Sequence, residues 1–419
     1  MSRATLILLS LVAGLLAGVG LASVSATAAE RALLVAGPLG GAWLAGLQMT
    51  VIPLVVALLV TAVAETAQAA AAGRVTARMI GLILIAVIVT GTMSALLTPA
   101  LLDLFPVPAE AASSLRGALT GAEAVTPPPP LSEFFSTIVP TNVVRAAADN
   151  AFLSLIIFTL AFAFAITRID RGGRDLLVRA FAALRDAMLV LIDWVLWLAP
   201  IGVFALAFGV GARAGITAFG ALVHYILIVS AIGVAVMLLA YPLGAIGGRV
   251  GLLRFARALA PAQAVGISTQ SSLASLPAML AGARALGLPE SKAGVALPVA
   301  VAMFRATQPA MNVAIAVYIA RWFGLPVEPG PLAAAVLTGA LVSLGSVSLP
   351  AQISFFASVA PVCAALGVPI APLGLLIAVE TIPDIFRTLG NVSMDLAATA
   401  TVSARTPQED AHEIPLARP

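Results

Sequence analysis

The sequence predicts an all-α integral membrane protein, on three observations. Hydrophobic residues make up 61% of its 419 residues and charged residues only 10%, whereas a soluble chain has about a quarter of its residues charged. Apolar runs of roughly 20 residues, each long enough to cross the ~30 Å hydrocarbon layer as a helix, recur along nearly the whole chain. The short alternating segments of a membrane β-barrel are missing, so the backbone polar groups must be satisfied within helices.

Charge and rare residues exclude other classes. The net charge of +3 is spread thinly, with no basic stripe for nucleic acid. Cys363 is the only cysteine, which rules out an intrachain disulfide and suits a small core filler. His224 lies in a hydrophobic run with no second ligand near it, so packing or hydrogen bonding is expected rather than metal ligation. No Ser/His or paired-Asp arrangement points to an enzyme.

Apolar stretches fall at 4–25, 33–66, 76–105, 131–167, 175–210, 215–246, 253–287, 291–323, 331–366 and 371–402. The first has the Arg3, apolar core and small-residue end of a secretory signal, but with so many spans following it is read as a retained helix. A Pro/Ala/Glu-rich linker ends in Pro127–Pro130, and a polar tail follows from Ser403. Arg74, Arg78, Arg168, Arg171, Arg174, Arg249, Arg254 and Arg405 share one side if the spans alternate, which makes both termini cytoplasmic. The alternation closes only if 253–287 and 331–366 each enter and leave by the same face.

Both stretches are interrupted at their centres. The first carries Thr269, Gln270, Ser271, Ser272, Ser275 and Pro277; the second carries Ser343, Ser346, Ser348, Pro350 and Gln352. Two half-helices meeting at a non-helical tip fit this pattern where protein or a water-filled cavity satisfies the tip. Paired interruptions point to inverted repeats around a midplane site. Two ordinary spans kinked by proline remain the alternative.

The strongest polar signal is in 371–402. Glu380, Asp384, Thr388, Asn391 and Asp395 are spaced by four, four, three and four residues, which places them on one face of a helix beside Arg387. Each buried charge costs at least ~2.5 kcal/mol at bilayer depth, so the row implies function more than helix gluing. Pro383 is expected to free the Val379 carbonyl one turn earlier. A second anomaly is Arg305 in the middle of 291–323, followed by Pro309, which is expected to break the helix, and Asn312. It demands an anionic partner, for which the acidic face is the candidate; a purely structural ion pair stays open.

With Val51–Leu54, Pro140–Asn142, Ala199–Phe204, Ser271-Ser272 before Leu276-Pro277, and Asp384–Thr388 followed by Asn391 and Asp395, the chain resembles the dicarboxylate/amino acid:cation symporters, the glutamate and aspartate transporter family. The resemblance implies eight transmembrane helices and two re-entrant hairpins in a homotrimer within the inner (plasma) membrane. It implies a scaffold of 1–75 and 131–210, with 76–106 and 211–402 moving as an elevator, an extracellular loop at 107–130 and a cytoplasmic tail at 403–419. By the same resemblance Asp384 holds a substrate amino group, Arg387 its side-chain carboxylate, and Thr388 and Asn391 its backbone carboxylate. Ser271 and Ser272 would serve from one tip and Ser346 and Ser348 from the other, with Asn391 and Asp395 at a residual sodium site. An acidic amino acid is the expected substrate; C4-dicarboxylates, cystine and neutral amino acids are the alternatives.

The departures concern coupling. The family's Asn-Met-Asp-Gly-Thr motif stands here as Phe304-Arg305-Ala306-Thr307-Gln308, so oxygen ligands are lost and a fixed cation is gained. At the proposed site, Glu380, Asp384 and Asp395 face Arg387 and Arg305, about one negative charge in balance. Weak or absent sodium dependence is therefore expected, with protonation of Glu380 as the other route to coupling.

Overall fold

The computed structural model describes residues 3–71, 73–107, 139–215, 217–345 and 351–406, and no strand occurs among them. Four described segments are long and apolar enough to cross a membrane: Thr5–Val24, Ala26–Ala69, Arg74–Leu104 and Ala218–Gly247. They belong to α1 (Arg3–Val24), α2 (Ala26–Ala71), α3 (Arg74–Leu104) and α8 (Thr217–Pro242), the last continued by a π-turn at Leu243–Gly247. Between α3 and α8 lie α4 (Val143–Ala148), α5 (Phe152–Ile166), α6 (Arg171–Trp197) and α7 (Ala199–Ala214). Nearly all of the 107–130 loop, Ser346, Ser348, Pro350 and most of the 403–419 tail lie outside the described residues.

The expected single span at 175–210 is instead α6 and α7, bent by 58° at Leu198. Pro200 lies in the first turn of α7, where a missing N–H is harmless, and helix direction changes there. By contrast α2 runs through Pro38 and Pro53 and extends past both ends of its expected span.

Small residues set the closest packing. Gly14 and Gly18 of α1 lie against the backbone of α7 at Phe204 and Phe208, and Gly211 of α7 lies against Leu15. A Cβ at any of the three would collide with backbone, so this contact is of the glycine-mediated kind common in membranes. Trp43 of α2 locks onto the same corner by donating from Nε1 to the Val195 carbonyl at 2.9 Å. Thus α1, α2, α5, α6 and α7 pack mainly on one another.

The remaining helices gather around the last one. They are α9 (Leu252–Thr269), α10 (Ser272–Ala285), α11 (Glu290–Met303), α12 (Thr307–Phe323), α13 (Pro329–Gly345), α14 (Ala351–Leu366), α15 (Leu373–Leu376) and α16 (Thr381–Arg405). Together with α3 and α8 they form a second group that meets the first largely where α13 and α14 touch α2. The stretches at 253–287 and 331–366 are each two helices packed on one another, α9 with α10 and α13 with α14. At the basic end, buried Lys292 donates to the Thr406 carbonyl at 2.6 Å and Arg78 to the Arg405 carbonyl at 2.7 Å. These cations cap α16 where its dipole favours them. His224 has the hydrogen-bonding role expected of it, at 3.1 Å from both Tyr318 Oη and the Phe105 carbonyl.

Gly18→Val should lower the melting temperature of the detergent-solubilised protein by several degrees, because overpacking costs about 1–3 kcal/mol. Gly20→Val, with nothing within 4 Å of its Cβ position, serves as the control and should melt like the parent. Equal melting of both variants would mean that α1 is not seated on α7.

Candidate substrate site

The site is built from three chain breaks that face α16. The first lies between α9 and α10. Gln270 takes a left-handed conformation at φ 51°, and Ser271 Oγ caps α10 by accepting from Ala274 N–H at 3.2 Å. Gln270 Nε2 reaches the Thr381 carbonyl at 3.4 Å, which brings the Ser271-Ser272 tip to the start of α16. Ser272 Oγ is buried there.

The second break separates α11 from α12. Phe304 adopts extended backbone, and Arg305 and Ala306 follow before α12 begins at Thr307. Pro309 therefore does not break the helix as expected; it sits in the first turn of α12, where proline is tolerated. Thr307 clips this break to α16. Its N–H donates to Asn391 Oδ1 at 3.0 Å, and its hydroxyl lies 2.6 Å from the same oxygen and 2.8 Å from the Arg387 carbonyl. Gly390 permits the approach, since a Cβ there would overlap the Thr307 methyl.

The third break precedes α16 itself. Stretch 371–402 is not one helix: α15 and a series of turns lead to Glu380, which sits at the cap of α16 in helical conformation. The Val379 carbonyl, expected to be free, accepts from Ile382 N–H at 3.2 Å. The reason is a tighter turn before Pro383, in which the Ile382 N–H, three residues on, takes the carbonyl that proline cannot bond. Helical geometry through Glu380 still aligns the acids, and the Asp384 N–H donates to the Glu380 carbonyl at 2.9 Å.

Arg387 is at the centre. Its Nη2 donates to Glu380 Oε1 at 2.5 Å, its Nη1 to Asn312 Oδ1 at 3.3 Å, and its Nε lies 3.6 Å from Asp384 Oδ1. Asn312 is held by donating from Nδ2 to the Ser358 carbonyl at 3.2 Å. Thr388 is buried one helical turn beyond Asp384, on its face of α16. Asp395, further along that face, is fully buried, and neither carboxylate oxygen has a hydrogen-bond partner among the described residues. The half-buried Arg305 stands at the break between α11 and α12, which Thr307 clips to α16. So Glu380, Asp384 and Arg387 meet through their side chains, Thr388, Asn391 and Asp395 follow along α16, and the Ser271-Ser272 tip reaches the start of that helix. Ser346 and Ser348 belong to the tip outside the described residues. Sequence reasoning missed Thr307 and Asn312 as site residues; the signal for Asn312 was an amide one helical turn after Gln308 in an otherwise apolar run.

The family model for the sodium:dicarboxylate symporter family matches residues 4–405. The chain belongs to this family. It is a family of transporters, not enzymes, and the protein is membrane-embedded. Similar proteins span several substrates. A proton/glutamate-aspartate symporter of Escherichia coli (strain K12) is 26% identical over 270 residues, covering 64% of this chain and 61% of that protein. A neutral amino acid transporter B(0) of Rattus norvegicus is 28% identical over 256 residues, covering 58% and 44%. A C4-dicarboxylate transport protein of Brucella anthropi is 24% identical over 384 residues, covering 87% and 82%. The chain thus spans about three-fifths of the length of the first and less than half of the second.

The Thr307 clip has a direct test. Gly390→Ala should lower stability by about 1–3 kcal/mol through collision with the Thr307 methyl. Adding Thr307→Ser, which keeps the hydroxyl and removes the methyl, should restore most of the loss in thermal melts. Additive loss in the double variant would show that the two residues do not meet.

Proposed function

We propose that the chain is a secondary transporter of acidic amino acids, glutamate- or aspartate-like, working by an elevator motion with reduced or absent sodium coupling. The observation that carries this reading is the largely buried Arg387 guanidinium beside Asp384, on the helix whose start the Ser271-Ser272 tip approaches. A zwitterion with a second carboxylate matches that charge pattern: the amine on Asp384, the side-chain carboxylate on Arg387, and the backbone carboxylate at Thr388, Asn391 and the serine tips.

In this state Glu380 occupies the edge of Arg387 that a substrate carboxylate would take. Binding then means displacing Glu380, and a displaced buried acid favours a proton or a cation. Proton coupling through Glu380 follows as one branch of the proposal, in keeping with the likeness to a proton symporter. C4-dicarboxylates are the second reading, favoured by the similar protein from Brucella anthropi; they would leave Asp384 with no amine to hold.

The architecture we propose has eight transmembrane helices, two re-entrant hairpins (α9–α10 and α13–α14) and cytoplasmic termini in the inner (plasma) membrane. The scaffold would be 1–75 and 131–210, assembled as a trimer through faces such as that of Trp194, Trp197 and Ile201, which are exposed. Supporting the moving body is the separate packing of α3 and α8–α16. An apolar groove of about 290 Å³ along the seam, lined by Leu59, Leu160 and Leu341, suits sliding surfaces.

Reduced sodium coupling is supported by one contact and one residue identity: Asn391 Oδ1 is engaged by Thr307, and a fixed cation, Arg305, stands at the break between α11 and α12. Both would compete with a cation for the oxygens of a sodium site.

Two measurements test this reading. In proteoliposomes, uptake of radiolabelled glutamate or aspartate should be saturable. Arg387→Ala should weaken acidic substrates by the 2–5 kcal/mol typical of breaking a buried charge contact. Unchanged affinity in that variant would remove Arg387 from the site. Calorimetric substrate affinity should be nearly flat with sodium in the parent chain, and Arg305→Met should lose affinity at every sodium concentration. A steep rise with sodium in the parent would rule out Arg305 as a tethered cation.

A further inference from the structure

A groove of about 360 Å³ opens on the outside of the bundle, between α3, the end of α8 with its π-turn, and α16. It is distinct from the Arg387 site. Its walls are hydrocarbon, from Ile85, Val89, Leu239, Leu243, Ile246 and Met394. Ile85, Val89 and Ile246 are exposed on the outer surface. The π-turn shapes it. Regular helix stops at Pro242, and Thr401 Oγ1 donates to the Leu243 carbonyl at 3.2 Å. At Gly247 a Cβ would collide with the Thr401 side chain, so glycine lets α16 close the back of the groove.

One charged residue lines it, Arg405 in the last turn of α16. Arg78 donates from Nη1 to the Arg405 carbonyl at 2.7 Å, which brings a second guanidinium to the same corner. Lys292, buried beneath, spends its charge on the Ser403 and Thr406 carbonyls. Among the described residues no carboxylate forms a salt bridge with Arg78 or Arg405.

We propose that this corner binds one anionic phospholipid, its phosphate on Arg78 and Arg405 and one acyl chain in the groove. The two halves of the site ask for different chemistry, and only an amphiphile supplies both. A free anion leaves the apolar walls uncovered, and a neutral lipid leaves the guanidinium pair without its phosphate. Basic pockets between membrane helices on the cytoplasmic side have this character. The competing occupant is the chain's own tail, which carries the acids Glu409, Asp410 and Glu413.

Native mass spectrometry of the full chain, exchanged into an equal mixture of phosphatidylglycerol and phosphatidylcholine, tests the site. The parent should retain one phosphatidylglycerol per chain in preference to phosphatidylcholine. Arg78→Gln with Arg405→Gln should cut that preference about 30-fold, from two contacts of ordinary strength for a basic residue at an anionic surface. Ile246→Trp, which fills the groove and leaves both arginines, should lose the retained lipid. Arg168→Gln, on another loop, should change nothing, and melting temperatures should show that all variants are folded. Equal retention of the two lipids by the parent, or a preference that survives in the double glutamine variant, overturns the proposal. So does phosphatidylglycerol binding that appears only after residues 407–419 are removed.

Discussion

A guanidinium cannot be left bare inside a helix bundle, and that constraint organises the second half of this molecule. Arg387 stays charged at any accessible pH, so its neighbours must supply both counter-charge and acceptors. Glu380, Asp384 and Asn312 do so from three directions. Each of those groups needs its own support. The cap of α16 positions Glu380, the first turn positions Asp384, and a carbonyl of α14 orients Asn312. The resulting cluster supplies the guanidinium with counter-charge and acceptors, although Glu380 Oε2 is left without a hydrogen bond among the described residues. Any ligand that uses Arg387 must offer at least what Glu380 offers now.

The same logic explains the break between α11 and α12. A continuous helix there would carry Arg305 around a regular surface, wherever its register fell. Extended backbone at Phe304 instead sets it at a junction between α11 and α12. Thr307 then fixes the junction to α16 with contacts to both side chain and backbone. The two anomalies that stood apart in the sequence are therefore neighbours, joined by a threonine and permitted by Gly390.

What could be read in advance was whatever repeats locally. The four-four-three-four spacing on α16 depends only on helical geometry, and it places Asp384, Thr388, Asn391 and Asp395 correctly. Interruptions at 269–272 and 304–309 were also visible, since hydroxyls and proline interrupt an apolar run whatever lies around them. The contacts of Asn312 and Thr307 were not legible, because each bonds to a residue some 75 or more positions away. Helix starts were misjudged for a related reason. A proline in a first turn and a proline in a helix interior look identical in sequence, and the difference lies in where the preceding turn ends. That ambiguity produced the misreadings at Pro309 and Pro383. The glycine contacts of α1 with α7 had a readable sign in the Gly14–Gly18 spacing, but nothing local named the partner.

The length of α2 has its own consequence. At ~1.5 Å per residue, its 46 residues extend to roughly 69 Å, more than twice the thickness of a hydrocarbon layer. Leu34, Val35, Leu39 and Met49 are exposed along it, and such side chains are costly to leave in water. An upright helix would push one end of the 44-residue apolar segment Ala26–Ala69, roughly 66 Å long, out of the bilayer. The helix must therefore lie steeply oblique, bend at Pro38 and Pro53, or draw lipid up around itself. In each case the bilayer beside α2 is not a flat slab of even depth, and lipids of different chain length would meet this protein on unequal terms.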